Sequence, residues 1–323
     1  MRILHISDLH FGVEVGGERS GAGTPVRSYD IKDLMENLGN ITVTKPLDYI
    51  FITGDIVDTA AEEAYEKAGR WLTGLSESCG VPAGRIYLCQ GSGDRERETE
   101  EAYKRYDAFC RSMGLPVYKL DGMENYITGV SVTPYMNVLC LNMGWCKETE
   151  AGLHYEKAAL QLSQLLKEEK GLTKGRPVIA LLHDPAAGKT VEQAEVTPGK
   201  RCACDGLCRM ADMILADHRY GSKTGCSYQN SAYICKNGAI YQKDAGCCYF
   251  DIYEWDEAGT APMVASTRSV YRFGSIRRGR ESEWRKINTH DGKAFRIRMQ
   301  TGERNGAERK PLQYSFHVFW WTR

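Results

Sequence analysis

The chain has 323 residues, of which 42% are hydrophobic and 10% aromatic, so it can bury a folded core and is not a disordered chain. Its 42 basic and 42 acidic side chains give a formal net charge of zero, which excludes a uniformly basic surface for nucleic acid. No apolar run reaches the length of about eighteen residues that a membrane span requires, and the start lacks the apolar core of a signal peptide. The twelve cysteines are scattered through the chain, and we expect free thiols in a cytoplasmic protein.

Strand-like and helix-like segments alternate along most of the chain, which is typical of an α/β fold. In such folds, ligands bind at the loops that follow the strands. Strands are predicted at 2–7, 47–53, 85–89, 136–143 and 177–183, helices at 29–41, 60–79, 98–113 and 155–170, and a helix running into a short strand at 208–217.

The pattern changes from about residue 226. β-forming residues alternate there around "NG" at 237–238, which predicts an antiparallel hairpin, and a further strand is predicted at 263–273. The polar tail that follows is basic, with 13 Lys and Arg against 5 Asp and Glu between Arg268 and Lys310. This stretch can contact the phosphates of a nucleic acid, although such stretches are more often solvated faces or linkers.

Carboxylates and histidines follow several of the predicted strands. Side chains of these two kinds, converging from separate strand ends, suit divalent cations. One aspartate can bridge two cations because a carboxylate has two oxygens, and two cations about 3.5–4 Å apart can clamp a phosphate and generate hydroxide at neutral pH. Each residue alone is weak support for a metal site, and it is their joint order along the chain that favours one. The residues are Asp8, His10, Asp55, Asp58, His183 and His218.

In that order, "DLH", "GDIVD", "GSGD", a lone histidine and "DHRYG" resemble the motifs of the calcineurin-like metallophosphoesterases, which are D-x-H, G-D-x-x-D, G-N-H-D, H and G-H-x-H. The resemblance spans about residues 1–255. It implies an α/β fold of the metallophosphoesterase type, with a four-layer α/β/β/α sandwich. On this basis residues 1–262 form the phosphoesterase domain, and residues 263–323 form a terminal strand plus a basic, partly flexible extension.

The resemblance also implies a dinuclear centre. Asp8, His10 and Asp55 would hold one metal ion, and Asp55 would share a second ion with His183 and His218. The predicted catalytic set is Asp55, Asp58 and Asp94, with Asp58 orienting a ligand rather than binding metal. The implied cofactors are one or two weakly bound ions of Mn, Zn, Fe or Mg. The implied partner is a phosphoester substrate, with nucleotides and nucleic acids as candidates and no membrane.

Three functional positions depart from the family motifs. Ser92 stands where the family has a metal-binding asparagine, Gly93 where it has a histidine that assists the leaving group, and Tyr220 where it has a second metal-binding histidine. Asp217 also replaces a glycine. The resemblance implies a phosphoesterase that uses metal-bound hydroxide, and these departures predict that its activity is weakened. They leave open a catalytically inactive binding or regulatory module, and a nuclease-like relative that acts on nucleic-acid ends.

A cluster of cysteines late in the chain is a second, separate candidate for metal binding. Cys202, Cys204 and Cys208 lie close together, with Cys226 beyond them, and could hold a structural zinc ion. Their C-x-C-x₃-C spacing is not one of the usual zinc spacings, so ordinary free thiols are the preferred interpretation.

Overall fold

The structure is a computed structural model whose described residues include two β-sheets, three α-helices and one short 3-10 helix, Ala83–Arg85. It describes residues 1–12, 27–95, 104–116, 127–133, 136–141, 176–183, 210–216, 225–229, 232–236, 248–255, 263–277, 281–287 and 295–300, and the individual residues 160, 161, 164 and 240. The helices are α1 Arg27–Thr44, α2 Glu62–Cys79 and α3 Lys104–Ser112. The strands are β1 Arg2–Ile6, β2 Tyr49–Thr53, β3 Ile86–Cys89, β4 Ile127–Val132, β5 Asn137–Leu141, β6 Val178–Leu182, β7 Met213–Ala216, β8 Gly225–Gln229, β9 Ala232–Lys236, β10 Cys248–Trp255, β11 Met263–Arg277, β12 Glu281–Ile287 and β13 Phe295–Gln300.

The sequence of helix α2 accounts for both its buried face and the residue at which it ends. Its buried residues recur every three or four positions, which gives the helix one apolar face. Gly80 ends the helix in a left-handed conformation with φ of 66°, where its N–H and that of Val81 bond to carbonyls of the last turn. The apolar face contains Ala64, Tyr65, Ala68, Trp71, Leu72, Leu75 and Cys79.

The first sheet has the strand order β12-β11-β10-β1-β2-β3, with β13 also paired to β11. Strands β1, β2 and β3 are parallel, so their carboxyl ends meet at one edge. Leu4 and Ile50 belong to a core cluster shared with α1, α2 and α3, whereas Ile3 and Phe51 face the second sheet. Side chains alternate between the two faces along each strand, so this sheet packs against the helices on one face and against the second sheet on the other.

The second sheet has the order β4-β5-β6-β7-β9-β8, with β5, β6 and β7 parallel. Every residue of β6 is apolar and buried, as expected for a parallel strand covered on both faces. Ile179 and Leu181 pack toward the first sheet, and Val178 and Ala180 are equally buried on the opposite side. A mixed α/β fold with two packed sheets is therefore confirmed. The fourth layer, with its helix predicted at 155–170, stays a prediction because only residues 160, 161 and 164 of that segment are described.

The predicted hairpin around "NG" was wrong. Strand β9 pairs with β7 on one side and β8 on the other, so no edge remains for the segment that follows it. Strand β10 lies instead in the first sheet, between β1 and β11. The local alternation of β-forming residues predicted strands correctly but could not show which sheet each strand joins.

The basic stretch carries more strand than its sequence suggested. Strand β11 runs through to Arg277, and β12 and β13 pair with successive parts of it. A domain boundary at residue 262 stays a prediction. Among the helices that the structure describes, none is both long and apolar enough to cross a membrane.

Candidate metal centre

The predicted site lies at the carboxyl ends of the parallel strands. The loop after β1 and the loop after β2 run side by side. The N–H of Asp8 donates a hydrogen bond to the carbonyl oxygen of Gly54 at 3.2 Å. The N–H of His10 donates to the carbonyl of Asp55 at 2.9 Å. Because the backbones of the two loops are hydrogen-bonded together, their side chains converge on one small region. His183 follows β6 and reaches the same region from the second sheet.

Three residues at this site have an uncommon backbone conformation. Asp8, His10 and Asp55 have φ of 52°, 46° and 47°, and no other non-glycine residue in the described part of the chain has a positive φ. Such a conformation costs of order 1–3 kcal/mol for a residue with a side chain, and it tends to occur at functional sites. The strain falls on the residues that were predicted to bind the first metal ion.

Four side-chain atoms, which we call the inner atoms, face one another. They are Asp8 Oδ1, His10 Nε2, Asp55 Oδ2 and His183 Nε2. His10 Nε2 lies 3.4 Å from Asp8 Oδ1 and 3.8 Å from Asp55 Oδ2, and His183 Nε2 lies 3.2 Å from the same Asp55 oxygen. One oxygen of Asp55 is therefore placed between two imidazole rings. Asp8, His10 and Asp55 can bring one ligand atom each to within 4.8 Å of the others.

The second oxygen of each aspartate is held by a donor of the protein. The Ser7 hydroxyl lies 2.7 Å from Asp8 Oδ2, and the Gly93 N–H donates to Asp55 Oδ1 at 2.7 Å. Each carboxylate is thus fixed through one oxygen and presents the other to the centre.

The two histidines follow the same arrangement. His10 Nδ1 lies 3.2 Å from Asp58 Oδ1, and His183 Nδ1 lies 3.0 Å from the carbonyl oxygen of Thr53. A carbonyl oxygen only accepts, so Nδ1 of His183 carries the proton in this contact, and the lone pair of the neutral ring is on Nε2. Both rings present Nε2 to the centre, which is how metal-binding histidines are usually oriented.

The residues present fit a divalent cation. Carboxylate oxygens and imidazole lone pairs that point at one another repel unless a proton or a cation lies between them. Ligand atoms about 2.0–2.2 Å from one cation lie roughly 2.8–3.6 Å apart. The separations of 3.2 and 3.4 Å fall within that range, and the separation of 3.8 Å lies just beyond it. Oxygen and imidazole donors suit Mn, Zn, Fe or Mg.

The "GSGD" turn packs directly against the loop after β2. A Cβ on Gly91 would lie 2.2 Å from the backbone nitrogen of Asp55, and a Cβ on Gly93 would lie 2.2 Å from the carbonyl oxygen of Val57. Real Cβ atoms do not approach backbone this closely, so only glycine fits at both positions. Any side chain at residue 93 would therefore start toward the backbone of Val57. Ser92 is exposed, and its Oγ lies 3.4 Å from both oxygens of Asp55.

Asp94 holds this turn in place. Its carboxylate accepts the N–H of Gly91 at 2.9 Å and that of Val57 at 3.2 Å, and its side chain is completely buried. Burial and the nearby charge of Asp55 raise the pKa of Asp94 to about 7, against the effect of the two N–H donors. Asp94 was predicted among the catalytic residues, and that role stays a prediction. In the structure its carboxylate supports the backbone next to Asp55.

The electrostatics of the cation-free centre reflect its arrangement. Burial alone would raise the pKa of Asp55, but the adjacent rings of His183 and His10 and the Gly93 N–H outweigh it, so the pKa is strongly lowered. Burial alone would lower the pKa of His10, but the carboxylates of Asp8, Asp55 and Asp58 raise it. Without a cation, a proton on the His10 ring offsets part of the negative charge of the carboxylates.

The cation-free protein should lose stability as the pH rises from about 6 to about 8. The folded-state pKa of His10 is raised, so its contribution is complete below about pH 6.5 and is lost as the pH rises through the folded value. Asp94 acts in the same direction, because with a pKa of about 7 it holds a proton that the unfolded chain has released. Thermal unfolding in chelator at the two pH values measures the loss, which should be smaller in His10→Asn. Equal or greater stability at the higher pH would contradict this balance of charges.

Several predicted residues lie outside the described residues. These are His218, Asp217 and Tyr220, and the cysteines Cys202, Cys204 and Cys208. Sequence reasoning also missed three groups that hold the centre, namely the Ser7 hydroxyl, the Thr53 carbonyl and the Gly93 N–H. Two of them are backbone groups and leave no trace in the identity of the residue. Ser7 could have been noticed as a hydroxyl directly before a predicted ligand.

Comparison with protein-family models places residues of this chain in a known family. A family model described as calcineurin-like phosphoesterase matches residues 1–218, about two thirds of the chain. This range includes all the inner atoms, the "GSGD" turn and His218. Among curated proteins, no sequence relative is detected.

Solved structures show the same kind of fold. A dimetal phosphatase from Danio rerio has a TM-score of 0.54 at 10% identity, covering 94% of this chain and 99% of that chain. The calcineurin-like phosphoesterase YfkN from Bacillus subtilis has a TM-score of 0.48 at 12% identity, covering 93% and 90%. The purple acid phosphatase PPD1 from yellow lupin has a TM-score of 0.45 at 13% identity, covering 93% and 53%. At such identities the similarity shows the fold alone. Of these three structures, the dimetal phosphatase supports the fold assignment, because its TM-score is above 0.5.

Proposed function

Because the chain belongs to the calcineurin-like phosphoesterase family, we propose that it is a metal-dependent hydrolase of phosphomonoesters or phosphodiesters whose activity is weakened. The observation that carries this proposal is the position of Asp55 Oδ2 between His10 Nε2 and His183 Nε2, at 3.8 and 3.2 Å. An oxygen in that position can be shared by two cations. Each of the surrounding ligands is already fixed through its other polar atom.

The chain's own residues would supply binding and orientation. Asp8, His10 and Asp55 would hold one cation, and Asp55 and His183 would hold a second, with His218 as a proposed further ligand. Bound divalent cations polarise a phosphoester and lower the pKa of a water molecule to near neutrality. Asp58 keeps the His10 ring in the orientation that presents Nε2.

The weakened activity follows from two positions in the turn. The Ser92 hydroxyl is a poorer neutral ligand than an amide oxygen, although its distance of 3.4 Å from both Asp55 oxygens places it beside the centre. Gly93 has no side chain that can donate a proton to a leaving group. A general acid typically contributes about 10²–10⁴-fold to the rate. We therefore propose slow turnover on substrates whose leaving group needs a proton.

Hydrolysis of an aryl phosphodiester by metal-stripped protein tests the proposal. We expect no turnover in chelator, slow turnover when manganese is added, and loss of that turnover in Asp8→Asn. The same samples should be titrated with manganese by calorimetry. Turnover that is equal with and without bound manganese would contradict the proposal.

The same experiment separates the alternatives that the sequence left open. Stoichiometric manganese binding without hydrolysis of any phosphoester would favour the binding or regulatory module. Release of nucleotides from end-labelled DNA or RNA, with no cleavage of small esters, would favour the nuclease-like relative. A cytoplasmic location also stays a prediction. It is supported by the burial of the five cysteines whose side chains the structure describes.

A further inference from the structure

Ser7 connects the loop after β1 to the end of β2. Its side chain is completely buried, and its hydroxyl lies 2.7 Å from Asp8 Oδ2 and 2.8 Å from the carbonyl oxygen of Thr53. An ionised carboxylate and a carbonyl oxygen only accept hydrogen bonds, whereas a hydroxyl has one proton to donate. The Ser7 proton is therefore shared between Asp8 and Thr53.

The same carbonyl of Thr53 also orients His183, whose Nδ1 lies 3.0 Å from it. The carbonyl oxygen has two lone pairs, one for the Ser7 hydroxyl and one for the His183 ring. Thr53 itself is fixed by the ladder between β2 and β3 and by a contact of 2.9 Å from its Oγ1 to His5 Nε2. Asp8 and His183 come from different sheets, yet both are oriented against this one rigid atom.

We propose that Ser7 is a positioning residue for the metal centre, a role that rests on the proposed function. Its hydroxyl holds Asp8 Oδ2 and thereby directs Asp8 Oδ1 toward His10 Nε2, 3.4 Å away. Through the Thr53 carbonyl, it also fixes Asp8 relative to His183. The ligands of the two cation sites are in this way held at a set separation.

Calorimetric titration of the full-length, metal-stripped protein with manganese chloride tests this role. Ser7→Ala should lower the affinity for manganese by about 10–100-fold, which is the usual effect of losing a partner of a metal ligand. In the Asp8→Asn background, Ser7→Ala should have little further effect, because Ser7 acts through that carboxylate.

Ser76→Ala is the matched control. It is the same substitution, and its hydroxyl also donates to a backbone carbonyl, that of Val81 at 2.6 Å, but at the far end of α2. Both variants should lose some thermal stability in chelator, and only Ser7→Ala should lose manganese affinity. If the wild type binds manganese and Ser7→Ala binds it equally well, the positioning role is wrong while the proposed function stands. If the wild type binds no manganese, both are wrong.

Discussion

Asp55→Asn should abolish metal-dependent hydrolysis and lower manganese affinity by more than the roughly 100-fold that loss of an outer partner can cost. The substitution keeps the shape of the side chain but removes the negative charge that both cation sites share. The new amide NH₂ would replace one of the two carboxylate oxygens. It would stand either at Oδ1, which now accepts the Gly93 N–H, or at Oδ2, which faces the two imidazole rings. Calorimetry with manganese and the aryl phosphodiester assay measure the two losses.

Asp212→Asn is the matched control for this variant. Asp212 is also a buried aspartate that accepts a backbone N–H, from Val178 at 2.8 Å, but it lies at the amino ends of β6 and β7, opposite the site. We expect its manganese affinity and turnover to match the wild type. Retention of tight manganese binding by Asp55→Asn would contradict the assignment of a shared ligand.

Cleavage should depend strongly on the leaving group. Nitrophenolate departs without a proton, so nitrophenyl esters should be hydrolysed slowly once manganese is supplied. Alkyl esters need protonation of the departing oxygen. Their hydrolysis should be about 10²–10⁴-fold slower than in an enzyme that has a general acid. Ser92→Asn should tighten manganese binding and raise both activities alike. Equal rates on the two ester classes would show that another group donates the proton.

The structure also predicts that a histidine cannot simply be restored at residue 93. A Cβ there meets the Val57 carbonyl at 2.2 Å, so Gly93→Ala should already cost about 1–3 kcal/mol of stability through overpacking. Gly84→Ala is the control, because a Cβ on that glycine has no atom within 4 Å. If Gly93→His folded with normal stability and gained alkyl esterase activity, the described packing of this turn would be wrong.

The sequence predicted the elements around the site well, because its patterns are local. The fully apolar run before His183 predicted a buried strand, and the spacing of Leu72, Leu75 and their neighbours predicted α2. The proposed ligands Asp8, His10 and Asp55 could be placed because each lies within three residues of the end of a predicted strand. Strand ends of parallel sheets meet at one edge, so order along the chain translated into proximity.

What the sequence could not predict depends on contacts between distant segments. Alternation around Asn237 showed strands but not that β9 and β10 belong to different sheets. The residue Gly93 was recognised as a departure in chemistry, but the close backbone packing that requires glycine there is visible only in three dimensions. The carbonyl of Thr53 is a backbone group, and no sequence pattern marks its contact with His183.

The most direct test is anomalous diffraction from crystals of the wild-type protein grown with manganese. We predict a peak at bonding distance, about 2.0–2.2 Å, from Asp55 Oδ2, with His10 Nε2 or His183 Nε2 at a similar distance from the same peak. A second peak on the other side of the same oxygen would mark the dinuclear form. Crystals that contain manganese elsewhere but show no peak beside Asp55 would contradict the proposed metal centre.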